Sequence, residues 1–157
     1  MQIEQGITLK VGPVYVAHEV RRIPLSMNAR LHWAVRHRWT KAWQAAVEGE
    51  LWAHKRKLGQ LPMAHARITI TLCSVRLLDT DNAYAAVKPV VDALTVFGVI
   101  EDDRPDCIEL VVKQQRVPHK VEETVLLNIE RIEDVPRPTG KPDSRDVGGT
   151  TKFQRAA

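Results

Sequence analysis

The stretch ARITITLCSVRLLDTDNAYAAVKPVVDALTVFGVIEDD, Ala66 to Asp103, carries most of what the chain says about its fold. Its opening, ARITITLCSV, alternates apolar and β-branched residues at period two and reads as a strand. A helix is expected over much of 83–97, stopped by Gly98, because glycine suits the position just past a helix C-terminus. Pro89 divides that stretch. An interior proline kinks a helix whereas a first-turn proline is welcome, so the main helix is expected to begin near Pro89. NAYAAV before it is then a loop or a separate turn. Acids bracket the helix: Asp79 and Asp81 follow the strand, and Asp102 and Asp103 follow a short apolar strand, VI.

Outward from this segment the pattern is of one domain with a tail. GITLKVGPVYVAHEV alternates between turn-forming residues and implies one or two opening strands. RRIPLSMNARLHWAVRHR is basic and irregular and reads as a long loop. Trp39, Trp43, Val47 and Leu51 recur every four residues and are followed by HKRK, which predicts a helix of about 39–57 with cations favourable to its C-terminal dipole. CIELVVKQQRV and VEETVLLNIERI alternate again, a pair of strands joined by a turn around Pro118. From Asp134 the sequence is rich in Pro, Gly and polar residues, a tail without core-forming pattern. The expected division is a 1–133 domain and a flexible 134–157 tail.

The bulk numbers narrow the function. At 157 residues, with 44% hydrophobic and 27% charged residues, a single soluble domain is expected. No apolar run approaches the roughly 20 residues of a membrane helix, and no secretory leader is visible, so the expected location is the cytoplasm. Cys73 and Cys107 form no CxxC pair and read as reduced, structural thiols. A pI near 9.3 favours a polyanionic partner. The charge is unevenly spread. Residues 1–60 carry ten Lys/Arg against four Glu, whereas Asp79 to Glu109 holds eight acids against Lys88 and Arg104.

That acidic segment admits two readings. In extended chain Asp79 and Asp81 would point to one face. Adjacent carboxylates repel unless a cation or proton neutralises them. Such hard oxygen donors suit Mg²⁺ or Mn²⁺, and one of Asp102 and Asp103 could add a third. The bland alternative is turn and N-cap chemistry, since Asp and Asn satisfy free amides. There is no GxxxxGK[ST], no HExxH and no zinc-type Cys/His spacing.

The residues DTDN…KPVVDAL…GVIEDD resemble the D-x-D-N…K-x-x-x-D-A-L…G-x-x-x-D-D pattern of the RusA family of Holliday junction resolvases, many of them phage- or prophage-encoded. IPLSMNARLHW is similar to that family's early P-x-S-x-N segment. The resemblance spans about residues 7–132. It implies that Asp79, Asp81 and Asp103 are metal-binding carboxylates, that Lys88 is the catalytic lysine and that Asn28 is the asparagine of the N-terminal motif. Two departures stand out: the gap before Lys88 is about three residues longer than in the founding member, and Leu78 stands where that member has arginine. The implied protein is a homodimer of α+β fold, a small mixed sheet flanked by two main helices. It would be a Mg²⁺-dependent endonuclease that nicks two symmetric strands of a four-way junction.

The chemistry makes further demands. A carboxylate site repels DNA, so the basic segment must draw it in. Asn28, Arg30, Arg36, Arg38 and Lys41, with Arg21 and Arg22, are the expected DNA contacts. Trp33 would stack on an unpaired base or join the core or a dimer contact; Trp39 and Trp43 belong to the core. Asp92, four residues after Lys88, is expected to pair with it, and Asp102 to be structural. A broader branched-DNA or flap nuclease and a non-catalytic DNA-binding protein are the competing readings.

Overall fold

The computed structural model describes residues 6–133; the expected tail lies outside the described residues. Ile7–Val11 forms β1, whose Leu9 and Val11 point inward while Thr8 and Lys10 face solvent. Val14–Val16 (β2) and Glu19–Arg21 (β3) form an antiparallel hairpin turned through Ala17, at φ 53°. The segment that follows is loop only as far as Leu31. Trp33–His54 is one helix, α1, continued by a 3₁₀ turn at Lys55–Lys57. It therefore starts six residues before the expected Trp39. The reason is its cap: His32 Nδ1 accepts a hydrogen bond from the Ala34 amide at 3.3 Å, a capping role that Ser, Thr, Asp or Asn would have advertised and histidine does not.

Ala66–Ser74 (β4) is the central strand. It leads into two consecutive short helices, Thr80–Ala86 (α2) and Lys88–Val96 (α3), with Pro89 in the first turn of the second. NAYAAV is thus mostly a helical turn of its own, and α3 begins where expected. Gly98, at φ 70°, closes α3: the Val99 amide donates to Leu94 O at 2.9 Å and the Gly98 amide to Thr95 O at 3.1 Å. This is a Schellman arrangement that needs the left-handed conformation glycine adopts freely. The expected VI strand is only a single parallel bridge, Met63 to Ile100. Ile108–Arg116 (β5) and Thr124–Arg131 (β6) complete the set.

The four long strands form a mixed sheet in the order β1-β6-β4-β5, beside the two-stranded β2-β3 sheet. β5 lies parallel to β4, and β6 is antiparallel to both β4 and β1. β5 and β6 are therefore not the hairpin pair their sequence adjacency implied. The segment between them is too long for a tight hairpin turn. It crosses the end of β4 instead, where the Val117 amide donates to Ser74 O and the Val75 amide to Glu123 Oε1. One core runs through the domain. Ile68, Ile70 and Leu72 of β4 and Val125, Leu127 and Ile129 of β6 share it with Trp39, Trp43, Val47 and Leu51 of α1 and Val90 and Leu94 of α3. The result is the expected α+β class, with a mixed sheet and two main helices. Among the described residues no helix is long and apolar enough to cross a membrane.

Candidate functional site

The DTD segment is tied to side chains at the end of β5. After β4 the Ser74 hydroxyl donates to Arg76 O at 2.5 Å, and Arg116 Nε donates to Val75 O at 3.4 Å. Gln114 then holds Leu78 on both sides. The Leu78 amide donates to Gln114 Oε1, and Gln114 Nε2 donates to Leu78 O, each at 2.7 Å. A side-chain amide here takes the place of a neighbouring strand. Asp79 follows in extended conformation and begins α2, its carbonyl accepting from the Ala83 amide at 2.9 Å. Its side chain makes no capping bond. Asp81 lies in the first helical turn, where the dipole favours an anion. Only Asp79 of the two is extended, so they do not share a strand face as the sequence implied.

The second acidic segment meets α3. Lys88, in the first turn, donates from Nζ to Asp92 Oδ1 at 2.8 Å, the expected pairing across one helical turn. Lys88 Nζ also lies 3.5 Å from Asp103 Oδ2, which ties α3 to the loop before β5. The hydrogen bond to Asp92 raises the Lys88 pKa above the ordinary lysine value; burial opposes the rise, and the charges of Asp92 and Asp103 add to it. Asp102 organises that loop: its Oδ1 accepts from the Asp103 amide at 2.7 Å and its Oδ2 lies 2.8 Å from Arg104 Nε. Arg104 also approaches Asp106 at 3.7 Å. Asp102 is spoken for by its neighbours; Asp103 faces Lys88.

Lys88, Asp92 and Asp103 are thus brought together across the helix, as the resemblance requires for Lys88 and Asp103. Among the described residues no hydrogen bond or ion pair joins Asp79 or Asp81 to them. Among the described residues no three His, Cys, Asp or Glu side chains form a metal-sized group. The two acidic segments are anchored at different points of β5. Leu78 is clamped at Gln114, whereas Asp103 shares a depression with Tyr84, Lys88, Ile108 and Leu110. Gln114 stands four residues beyond Leu110, about 13 Å along a strand rising ~3.3 Å per residue. α2, which contains most of the longer NAYAAV segment, spans that interval, with the Tyr84 hydroxyl 3.5 Å from the Val112 amide. The donor chemistry still suits a hard divalent ion. The exposed Asp79 and Asp81 carboxylates have no hydrogen bond or ion pair among the described residues. Mg²⁺ is commonly held by one or two carboxylates, waters and substrate phosphate.

The expected DNA contacts divide in two. Asn28, Arg30, Arg38 and Lys41 are exposed. Arg36, by contrast, spends its guanidinium on the carbonyls of Ser26, Met27 and Ala29, at 3.3, 3.4 and 2.5 Å, and so folds the loop before α1. Trp33 is 74% exposed and outside the core, its ring 5.6 Å from that of His32, whereas Trp39 and Trp43 are each 1% exposed. Gln114 carried no signal of its role in the sequence, where it is one of two adjacent glutamines near the end of an alternating strand.

No family model matches this chain, and no curated protein matches it.

Proposed function

We propose that this protein is a Mg²⁺-dependent, structure-selective endodeoxyribonuclease that acts on four-way DNA junctions, in the manner of the RusA-type resolvases its motifs resemble. The observation that supports this best is the approach of Lys88 to Asp103 across α3, at 3.5 Å. Two residues fifteen positions apart, picked out by the resemblance for one site, meet in space. Asp79, Asp81 and Asp103 would hold Mg²⁺, with Mn²⁺ an alternative. Bound there, the ion would supply charge neutralisation at the scissile phosphate and a water of lowered pKa.

The chain's own contribution is electrostatic and positional. Asp92 holds the Lys88 ammonium charged and oriented, so it can face the charge that develops on a phosphate. Gln114 fixes the backbone from which Asp79 projects. The exposed cations before and within the first turns of α1 would bind the junction arms. A homodimer would present two equivalent sites to the two equivalent strands.

One observation favours a non-catalytic junction-binding protein instead: Asp103 is engaged by Lys88 rather than grouped with Asp79 and Asp81. A single assay separates the readings. A four-way junction, a flap and a plain duplex are incubated with Mg²⁺ and with wild type, Asp81→Asn or Asp103→Asn. The proposal expects paired nicks in the junction by wild type and a loss of at least about 100-fold in either variant, in the range for an electrostatic catalytic group. Binding without nicking under both Mg²⁺ and Mn²⁺ would leave the non-catalytic reading standing. Equal cutting of flap and junction would favour the broader nuclease.

A further inference from the structure

Arg21, Arg22, Arg76 and Lys120 line a cleft of about 590 Å³ between the β2-β3 hairpin, the loop after it and the end of β4. They reach it from three separate places in the chain. The cleft's one acid, Glu123, accepts from the Val75 amide through Oε1 at 3.0 Å and makes no ion pair with the four cations. Arg22, Arg76 and Lys120 make no side-chain hydrogen bond or ion pair among the described residues. Arg21 lies with its guanidinium 5.1 Å from the centroid of the Trp39 ring, and its buried Nε has no hydrogen-bond partner among the described residues. Some cations elsewhere are spent on partners of the chain itself: Arg36 on carbonyls, Arg67 on Glu109 and Glu130, and Arg104 on Asp102 and Asp106. Four cations gathered in a concavity, with their donors unspent, need an anion from outside.

We propose that this cleft holds the phosphodiester backbone of one nucleic-acid strand. The assignment rests on the nucleic-acid reading above for its class of ligand, but not on any cleavage chemistry. Guanidinium groups fit phosphate oxygens in pairs and are weakly hydrated, so an arginine-lined cleft suits phosphodiesters. The shape argues for a chain rather than a small anion. Pro24 and Leu25 are shared with a second groove, which runs past Arg36 to Lys88, and Lys88 is shared in turn with the depression containing Asp103. Leu78, whose next neighbour is Asp79, is also part of the cleft wall. A strand seated on Arg22, Arg76 and Lys120 is thereby led along the face that carries Lys88.

The test is binding in EDTA, where no metal-dependent cutting enters. Fluorescence anisotropy of a labelled single strand and a labelled four-way junction is followed across salt from about 50 to 200 mM. The proteins are wild type, Arg22→Ala/Arg76→Ala/Lys120→Ala, and the equal-charge control Lys55→Ala/Arg56→Ala/Lys57→Ala. The cleft variant should bind at least about tenfold more weakly, with a salt slope reduced by about 2 to 3; the control should lose less than about threefold. Thermal melting checks the fold, and Arg76→Gln/Lys120→Gln, which changes only exposed side chains, repeats the test should the triple variant melt early. Equal losses in cleft variant and control overturn the proposal, as does unchanged binding in the cleft variants. So does competition by inorganic pyrophosphate or poly-glutamate as strong, per charge, as by unlabelled strand. Wild type that binds through the cleft but never nicks a junction would sink the nuclease and leave the cleft; nicking with no effect of the cleft variants would do the reverse.

Discussion

Gln114 and Leu78 are joined by two hydrogen bonds of 2.7 Å that run in opposite directions, side-chain amide to main-chain amide. This pairing sets where the acidic segment starts, because the next residue is Asp79.

Gln114→Ala should therefore loosen the start of α2 while leaving the sheet intact. Two partly buried bonds predict a loss of about 1 to 3 kcal/mol. Gln114→Glu keeps the acceptor but sets a carboxylate oxygen against Leu78 O, so it should be no better than alanine. Amide exchange at Leu78 should rise in both variants. Protection there equal to wild type would show that the clamp is not what holds the segment.

Lys88 gives a prediction in pH. Its folded pKa lies above the ordinary lysine value, chiefly through the hydrogen bond to Asp92. The folded state then holds the proton more tightly than the unfolded chain. The stabilisation is fully present below the ordinary lysine value and fades as pH rises through the folded value. Lys88 is 65% exposed, so the pair contributes only a few tenths of a kcal/mol. Wild type should exceed Lys88→Gln in stability by a constant small margin from neutral pH to about 9.5, shrinking at higher pH and in high salt. Chemical denaturation at several pH values measures it. A margin that falls between pH 7 and 9 would contradict the assigned pairing.

The architecture was legible wherever burial dictates period. Trp39, Trp43, Val47 and Leu51 mark the buried face of α1, and the alternation in β4 marks its core side, because a packed core imposes those spacings. What the sequence hid was set by single hydrogen bonds and by topology. His32 as a cap, Gln114 as a substitute strand and the passage of residues 117–123 over the end of β4 leave no periodic trace. The acidic residues were recognisable as a set, and Lys88 and Asp103 do meet. The extra length before Lys88 became a helix, α2, with Asp79 at its start and Asp81 in its first turn. Local pattern names candidate ligands; the register of a parallel strand decides which of them converge.

The tryptophans divide by the same logic. Trp43→Ala should cost about 3 to 5 kcal/mol, as expected for truncating an aromatic wholly in the core. Trp33→Ala, outside the core, should stay within about 0.5 kcal/mol of wild type. On the nucleic-acid reading it should still weaken binding to a single strand, since stacking on a base contributes about 1 to 3 kcal/mol. Urea unfolding and anisotropy together check the pair. A large stability loss in Trp33→Ala would mean that the indole packs rather than presents itself.

Arg36 supplies the sharpest contrast between charge and structure. It stands in the most basic part of the sequence and was expected at DNA phosphates, yet three main-chain carbonyls at Ser26, Met27 and Ala29 already take its donors. Arg36→Ala strands those carbonyls and should destabilise the fold by about 1.5 to 3 kcal/mol, the range for hydrogen bonds to a charged group. Arg36→Lys keeps the charge but has no planar fork to reach three acceptors, so it should recover less than half of that loss. Arg38, exposed two residues further along α1, should behave oppositely: Arg38→Ala should leave stability unchanged within about 0.5 kcal/mol. Its salt slope for DNA should fall by about one. Melting curves and salt-dependent binding on the three variants separate the roles. Full rescue of stability by Arg36→Lys would show that charge, not the carbonyl clamp, is what the position supplies.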